Sequence, residues 1–105
     1  MNTVTDNHYS RSLIRLHHTD NVLIAKSQLS LGQQIDIDGA TVRLRAQVPA
    51  GHKVAAHAIA RGAAVRKYDT IIGFASRDIE AGEHVHSHNI ELREYERDPG
   101  FGLDV

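Results

Sequence analysis

The sequence predicts a small, mainly β domain with short helical turns. Three observations carry that reading: short runs rich in β-branched residues, turn signals at regular intervals between them, and one spacing repeated three times. The repeat runs Ala25-x3-Leu29-x2-Gly32-x2-Ile35, then Ala55-x3-Ile59-x2-Gly62-x2-Val65, then Ala75-x3-Ile79-x2-Gly82-x2-Val85, with no gap inside any copy. Each copy is read as a strand ending near the alanine, a single helical turn carrying the Leu or Ile, a glycine at positive φ, and a new strand opening on a β-branched residue. Leu29, Ile59 and Ile79 are expected to plug the core, and the three glycines to serve turn geometry.

In chain order, Met1 to Ser12 are polar, and residues 1–16 are expected to form a flexible head. Val22-Leu23-Ile24-Ala25 supplies the first strand signal. Ile35-Asp36-Ile37 and Thr41-Val42-Arg43-Leu44-Arg45 follow, separated by Asp38-Gly39, the best hairpin signal of the chain. Val48-Pro49-Ala50-Gly51 reads as a second turn that delivers His52 and Lys53 to the start of the strand Lys53-Val54-Ala55. Ile71-Ile72-Gly73-Phe74-Ala75 is a further strand, with Tyr68 expected to pack against the repeat and keep its hydroxyl at the rim. After Asn89 the pattern decays into Glu91-Leu92-Arg93-Glu94-Tyr95-Glu96-Arg97, either a charged final strand or a short helix, and then a loose tail. The domain is therefore placed at 17–90, with 91–105 as charged tail or linker.

A chain of 105 residues forms one domain most simply. Its 12 basic and 13 acidic residues leave a formal charge of −1, which gives no broad attraction to nucleic acid or to an anionic membrane. Three Tyr, two Phe and no Trp offer few platforms for stacking bases. The absence of cysteine excludes a disulfide, a thiolate nucleophile and a zinc ribbon. No segment has the apolar core of a signal peptide or the length of a membrane span, so a cytoplasmic protein is expected. Exposed strand edges in so small a β domain leave self-pairing into a homo-oligomer open.

The chemistry-bearing stretch is Glu83-His84-Val85-His86-Ser87-His88-Asn89. In an extended strand alternate side chains leave one face, so His84, His86 and His88 would project together, about 7 Å between neighbours. Such a row suits a metal, an anionic ligand or acid/base work; the alternative is an exposed strand face whose histidines share only their spacing. Two further polar points precede copies of the repeat: His17-His18-Thr19-Asp20-Asn21 and Gly51-His52-Lys53. A pocket drawing on His52, Lys53, His86, His88 and Asn89 would neutralise a carboxylate and hydrogen-bond several hydroxyls, as a sugar acid requires. His8, His17 and His18 read as surface residues.

Gly51-His52-Lys53-Val54-Ala55, the run from Val65-Arg66-Lys67-Tyr68 to Ile71-Ile72-Gly73, and Gly82-Glu83-His84-Val85-His86-Ser87-His88-Asn89 together resemble the SAF domain of the altronate/galactarate dehydratase family. Asp20-Asn21-Val22 is similar to that family's opening motif. The resemblance covers roughly residues 17–90, and the ordered combination is more specific than any one motif. Asp69-Thr70 departs from a usual Gly-led turn, and Ala63-Ala64 from a usual acidic residue after Gly62.

What the resemblance implies is a SAF domain with the β-clip fold, acting as a small subunit or N-terminal domain of a lyase that dehydrates a sugar acid such as altronate or galactarate. A related branch, sulfolactate sulfo-lyase, eliminates sulfite with a small subunit of this kind; a non-catalytic SAF binding module is the reading from another class. The partner implied is a large catalytic subunit or domain of the same family. The cofactor implied is Fe2+ or another divalent metal in the complete enzyme. Carried over by position, the family pattern points to His52, His86, His88 and Asn89 as substrate-binding residues, then Asp20, Asn21 and Lys53. His86 and His88 are the candidate metal ligands, and His84 ranks lower because similar proteins vary there. No catalytic residue is assigned.

Overall fold

Among residues 12–92, which the computed structural model describes, nine short strands follow one another: β1 (Leu13–Ile14), β2 (Val22–Ala25), β3 (Gln34–Ile37), β4 (Ala40–Arg43), β5 (Lys53–Ala55), β6 (Ala64–Lys67), β7 (Thr70–Ala75), β8 (His84–Val85) and β9 (Ile90–Glu91). They form an antiparallel four-stranded sheet in the order β1-β2-β5-β8, the hairpin β3-β4, and the three-stranded sheet β6-β7-β9. The mainly β expectation is met. Within the stretch expected as a head over 1–16, Leu13 lies in β1 and is fully buried against β2; residues 1–11, and 93–105 of the expected tail, lie outside the described residues.

Side chains alternate across a strand, so the central sheet feeds two cores. On one face Leu23, Ala25 and Val54 join Leu13, Leu29, Ile35, Ile37, Leu44 and Val48, with the β3-β4 hairpin closing over them. On the other face Val22, Ala55 and Val85 join Ile59, Val65, Ala75 and Ile79, under the β6-β7-β9 sheet. Each fully buried aliphatic side chain here contributes roughly 1.5–3 kcal/mol, which is what holds so short a set of strands together.

The repeat has four copies, not three. Leu44-x3-Val48-x2-Gly51-x2-Val54 carries the same spacing with Leu in place of Ala. The copies pair in twos with the same hydrogen bonds. In the first pair, Leu29 and Val48 bridge each other, Gly32 N–H donates to Leu44 O, and Gly51 N–H donates to Ala25 O. In the second, Ile59 and Ile79 bridge, Gly62 N–H donates to Ala75 O, and Gly82 N–H donates to Ala55 O. All four glycines sit at φ between 83° and 87°, as the turn requires. The Leu, Val or Ile of each copy lies in a β-bridge rather than in the expected helical turn, because its N–H and C=O both go to the paired copy. At Gly82 there is a second constraint, since a Cβ would collide with the Val42 side chain.

Two hairpins have two-residue loops. Asp38-Gly39 joins β3 to β4 with φ of 51° and 87°, and Tyr68-Asp69 joins β6 to β7 with φ of 54° and 60°. Positive φ at both central residues is the type I′ signature, whose twist matches the flanking strands. Tyr68 does not pack against the repeat: it stands 68% exposed at its hairpin tip.

Candidate functional site

The histidines meet where β5 pairs with β8. The antiparallel register places Lys53 opposite Val85 and Val54 opposite His84, which brings His52, just before β5, beside the chain leaving β8. The extended row expected over His84 to His88 ends at Val85, because residues 86–89 turn. Asn89 makes that turn: its N–H donates to His86 O (3.0 Å), its Oδ1 accepts from His86 N–H (2.9 Å), and its Nδ2 donates to His84 O (2.9 Å). The amide is fully buried and spent on backbone, which is how Asn closes a local turn.

The turn folds the imidazoles onto one another. Ring centroids are 4.7 Å apart for His52 and His86, 5.2 Å for His52 and His84, and 5.5 Å for His84 and His86. His88 tilts against His84 at 5.4 Å. His52 Nδ1 and His84 Nε2 are 3.0 Å apart, a hydrogen bond in which one ring donates and the other accepts according to tautomer. One nitrogen from each of His52, His84 and His86 lies within 4.8 Å of the other two. The half-buried setting of His84, and then the neighbouring His52, His88, His86 and Lys53, hold its pKa below the ordinary imidazole value. Burial first, and then Lys67, lower the pKa of the half-buried Lys53 ammonium.

Two clefts flank this cluster. One of about 320 Å³ is lined by His84 and His88 with Arg45, Arg77, Glu80 and Glu83. Its charges are paired, Arg45 with Glu80 at 2.6 Å and Arg77 with Glu83 at 2.8 Å. The other, about 300 Å³, is lined by Lys53, His86, Ser87 and Glu91 with Ile72, Ile90 and Leu92, so an ammonium and an imidazole face a largely apolar wall that also carries one carboxylate.

Asp20 and Asn21 do a different job. Asp20 is 4% exposed, and its carboxylate accepts from His17 N–H (3.1 Å), Tyr68 N–H (2.8 Å) and Asp69 N–H (2.8 Å). Asn21 donates to Ala64 O and accepts from Arg66 N–H, clamping β6. Of the sequence-predicted residues, then, His52, Lys53, His86 and His88 gather around His84, whereas Asp20, Asn21 and Asn89 bind backbone. His84, ranked low from sequence, is the centre of the cluster; only the β5-β8 pairing reveals it. His17 and His18 stack on each other at 4.5 Å beside Asp69, and His8 lies outside the described residues. No helix among the described residues is long and apolar enough to cross a membrane.

One family matches this chain over residues 11–93, the altronate/galactarate dehydratase SAF domain. The altronate dehydratase of Escherichia coli (strain K12) is 44% identical over an alignment of 93 residues that covers 84% of this chain and 19% of that protein. The altronate dehydratase of Bacillus subtilis (strain 168) is 37% identical over 79 residues, 75% of this chain and 16% of that protein. This chain thus spans less than a fifth of the length of those two relatives. The (2R)-sulfolactate sulfo-lyase subunit alpha of Paracoccus pantotrophus is 43% identical over 51 residues, 49% of this chain and 76% of that subunit.

Proposed function

The chain belongs to the altronate/galactarate dehydratase SAF-domain family, and from that premise we propose that it is the small subunit or N-terminal domain of a hydro-lyase acting on a sugar acid such as altronate or galactarate. In this reading a larger catalytic part of the same family closes over the β5-β8 edge, in a cytoplasmic setting. The observation that supports it is the convergence of His52, His84, His86 and His88 with the half-buried Lys53 between two clefts.

Elimination beside a carboxylate needs the acid held still, its α-proton presented to a base and its leaving hydroxyl assisted. Lys53, at the mouth of the apolar-walled cleft, suits the carboxylate as a point charge in a partly dehydrated place. His86 lines the same cleft and suits a hydroxyl of the acid, whereas His88 faces the charged cleft on the other side of the cluster. The backbone ladder between β5 and β8, and the turn locked by Asn89, fix these groups before substrate arrives. A divalent metal in the complete enzyme, iron or another, would supply Lewis-acid help to the departing hydroxyl.

The sulfo-lyase relative favours a second reading, because the match takes in three quarters of a protein that is itself a subunit. Here the chain would be the small partner in a sulfite elimination. Both readings are tested by assaying the chain alone and mixed with a large family member, with ferrous iron, on a panel of sugar acids and sulfolactate. Activity in the mixture alone, abolished or strongly reduced by His86→Ala or His88→Ala in folded protein, is expected. Neither association nor turnover in the mixture would leave only a non-catalytic binding module.

A further inference from the structure

We propose that His52, His84 and His86 form a three-imidazole site for a borderline transition-metal ion, held by this chain on its own. The inference deepens the lyase reading by adding a metal to its small part, but the binding itself does not depend on that reading.

The donor set carries the argument. The three ligand atoms lie within 4.8 Å of one another, and the nearest pair, His52 Nδ1 and His84 Nε2, is 3.0 Å apart. Metal–nitrogen bonds of about 2.0–2.1 Å in a tetrahedral site separate neighbouring ligands by roughly 3.3 Å, so that pair already stands close to bonding separation. His86 is exposed, and its nitrogen lies within 4.8 Å of the other two. His84 is fixed by the β5-β8 ladder, His52 by backbone bonds to Ala25 and Pro49 just before β5, and His86 starts a turn pinned by the buried Asn89.

The chemistry of the donors chooses the ion. Three nitrogens and no oxygen suit Zn2+, Co2+, Ni2+ or Fe2+, whereas Ca2+ and Mg2+ call for oxygen. Three protein ligands also leave coordination open, as in catalytic rather than structural sites. A hydroxy acid carries oxygens suited to that open side. His88, beside the ring of His84 but outside the three-atom group, lines the charged cleft instead of ligating.

The test is a Co2+ titration of the full 105-residue chain, followed by visible absorption near neutral pH, with circular dichroism on every variant. One equivalent should bind with the intense bands of a low-coordinate site. His52→Ala and His84→Ala should each weaken binding by at least about tenfold, and His88→Ala by much less. Zn2+ should also perturb the ring nitrogens of His52, His84 and His86 in 15N spectra of the unmutated chain, a readout that survives any misfolding variant. No stoichiometric binding, or unchanged binding in folded His84→Ala, overturns the proposal; so does an anion such as sulfate occupying the metal-free cluster and excluding Co2+. Metal binding without turnover in any mixture leaves this site standing and sinks the lyase reading. Turnover with a chain that binds no metal does the reverse.

Discussion

The two tight hairpins reach one backbone shape by opposite means. In β3-β4 the turn residues supply it themselves: Gly39 takes φ of 87° at little cost, and Asp38 is met only at the surface, by Arg15 at 3.0 and 2.8 Å. β6-β7 has no glycine in its turn: Asp69 tolerates positive φ as Asp38 does, but at Tyr68 that conformation costs roughly 1–2 kcal/mol. That turn is held from outside, by the buried Asp20 carboxylate receiving both of its N–H groups and by Thr19 Oγ1 donating to Asp69 Oδ1 at 2.6 Å. One hairpin is encoded by two adjacent residues, the other depends on Asp20, 48 and 49 positions away from its two turn residues. The Asp20-Asn21 pair is therefore best understood as the architecture of the second hairpin.

Four substitutions bear on that contrast. Asp20→Ala should cost the most, about 3 kcal/mol in urea unfolding, because it strands three backbone donors around a buried site; a loss no greater than that of a surface change would erase the distinction between the hairpins. Gly39→Ala should cost about 1–2 kcal/mol, the strain that the first turn avoids through its own glycine. Tyr68→Gly should instead stabilise by about 0.5–1 kcal/mol, since it relieves strain at a residue with little packing to lose, and it should recover part of the Asp20→Ala loss in the double variant. Smallest is Arg15→Ala, a few tenths of a kcal/mol for an ion pair open to solvent. Its signature is pH. The hydrogen bond from Arg15 holds the Asp38 pKa below the ordinary carboxylate value, so the pair's contribution is full above the unfolded value of about 3.9 and is lost as pH falls through the lower folded value. Acid titration of stability should therefore flatten slightly in Arg15→Ala.

The same contrast marks what the sequence disclosed. Asp38-Gly39 announces its hairpin, and strands ending at Ala25, Ala55 and Ala75 with positive-φ glycines seven residues on were legible from spacing alone. Tyr68-Asp69 lacks the glycine that makes Asp38-Gly39 plain, so its geometry is visible only once Asp20 is in place. The repeat copy at Leu44 was hidden by a larger residue where the others have alanine, although its Gly51 and Val48 keep the spacing. For the site, the histidine-rich stretch was conspicuous and its conformation was not: an alternating pattern reads as a strand, and the backbone bonds of Asn89 that bend it are tertiary facts. His84 needed the β5-β8 register to show its place. His52 and Lys53 were found because a turn signal delivers them to a strand start.

The paired copies also divide the domain into two self-closing units. Residues 25–54 close on themselves through the Leu29–Val48 bridge, and residues 55–85 through Ile59–Ile79, each loop joining positions 19 or 20 apart in the chain. Closures of that length form early, before more distant pairings repay their larger loss of chain freedom. His52 belongs to the first of these units, and His84 to the second with His86 just beyond it; they meet only when β8 docks along β5. The histidine cluster is therefore absent from either half taken alone, so any ion it holds would act as a latch between the two units of the finished domain.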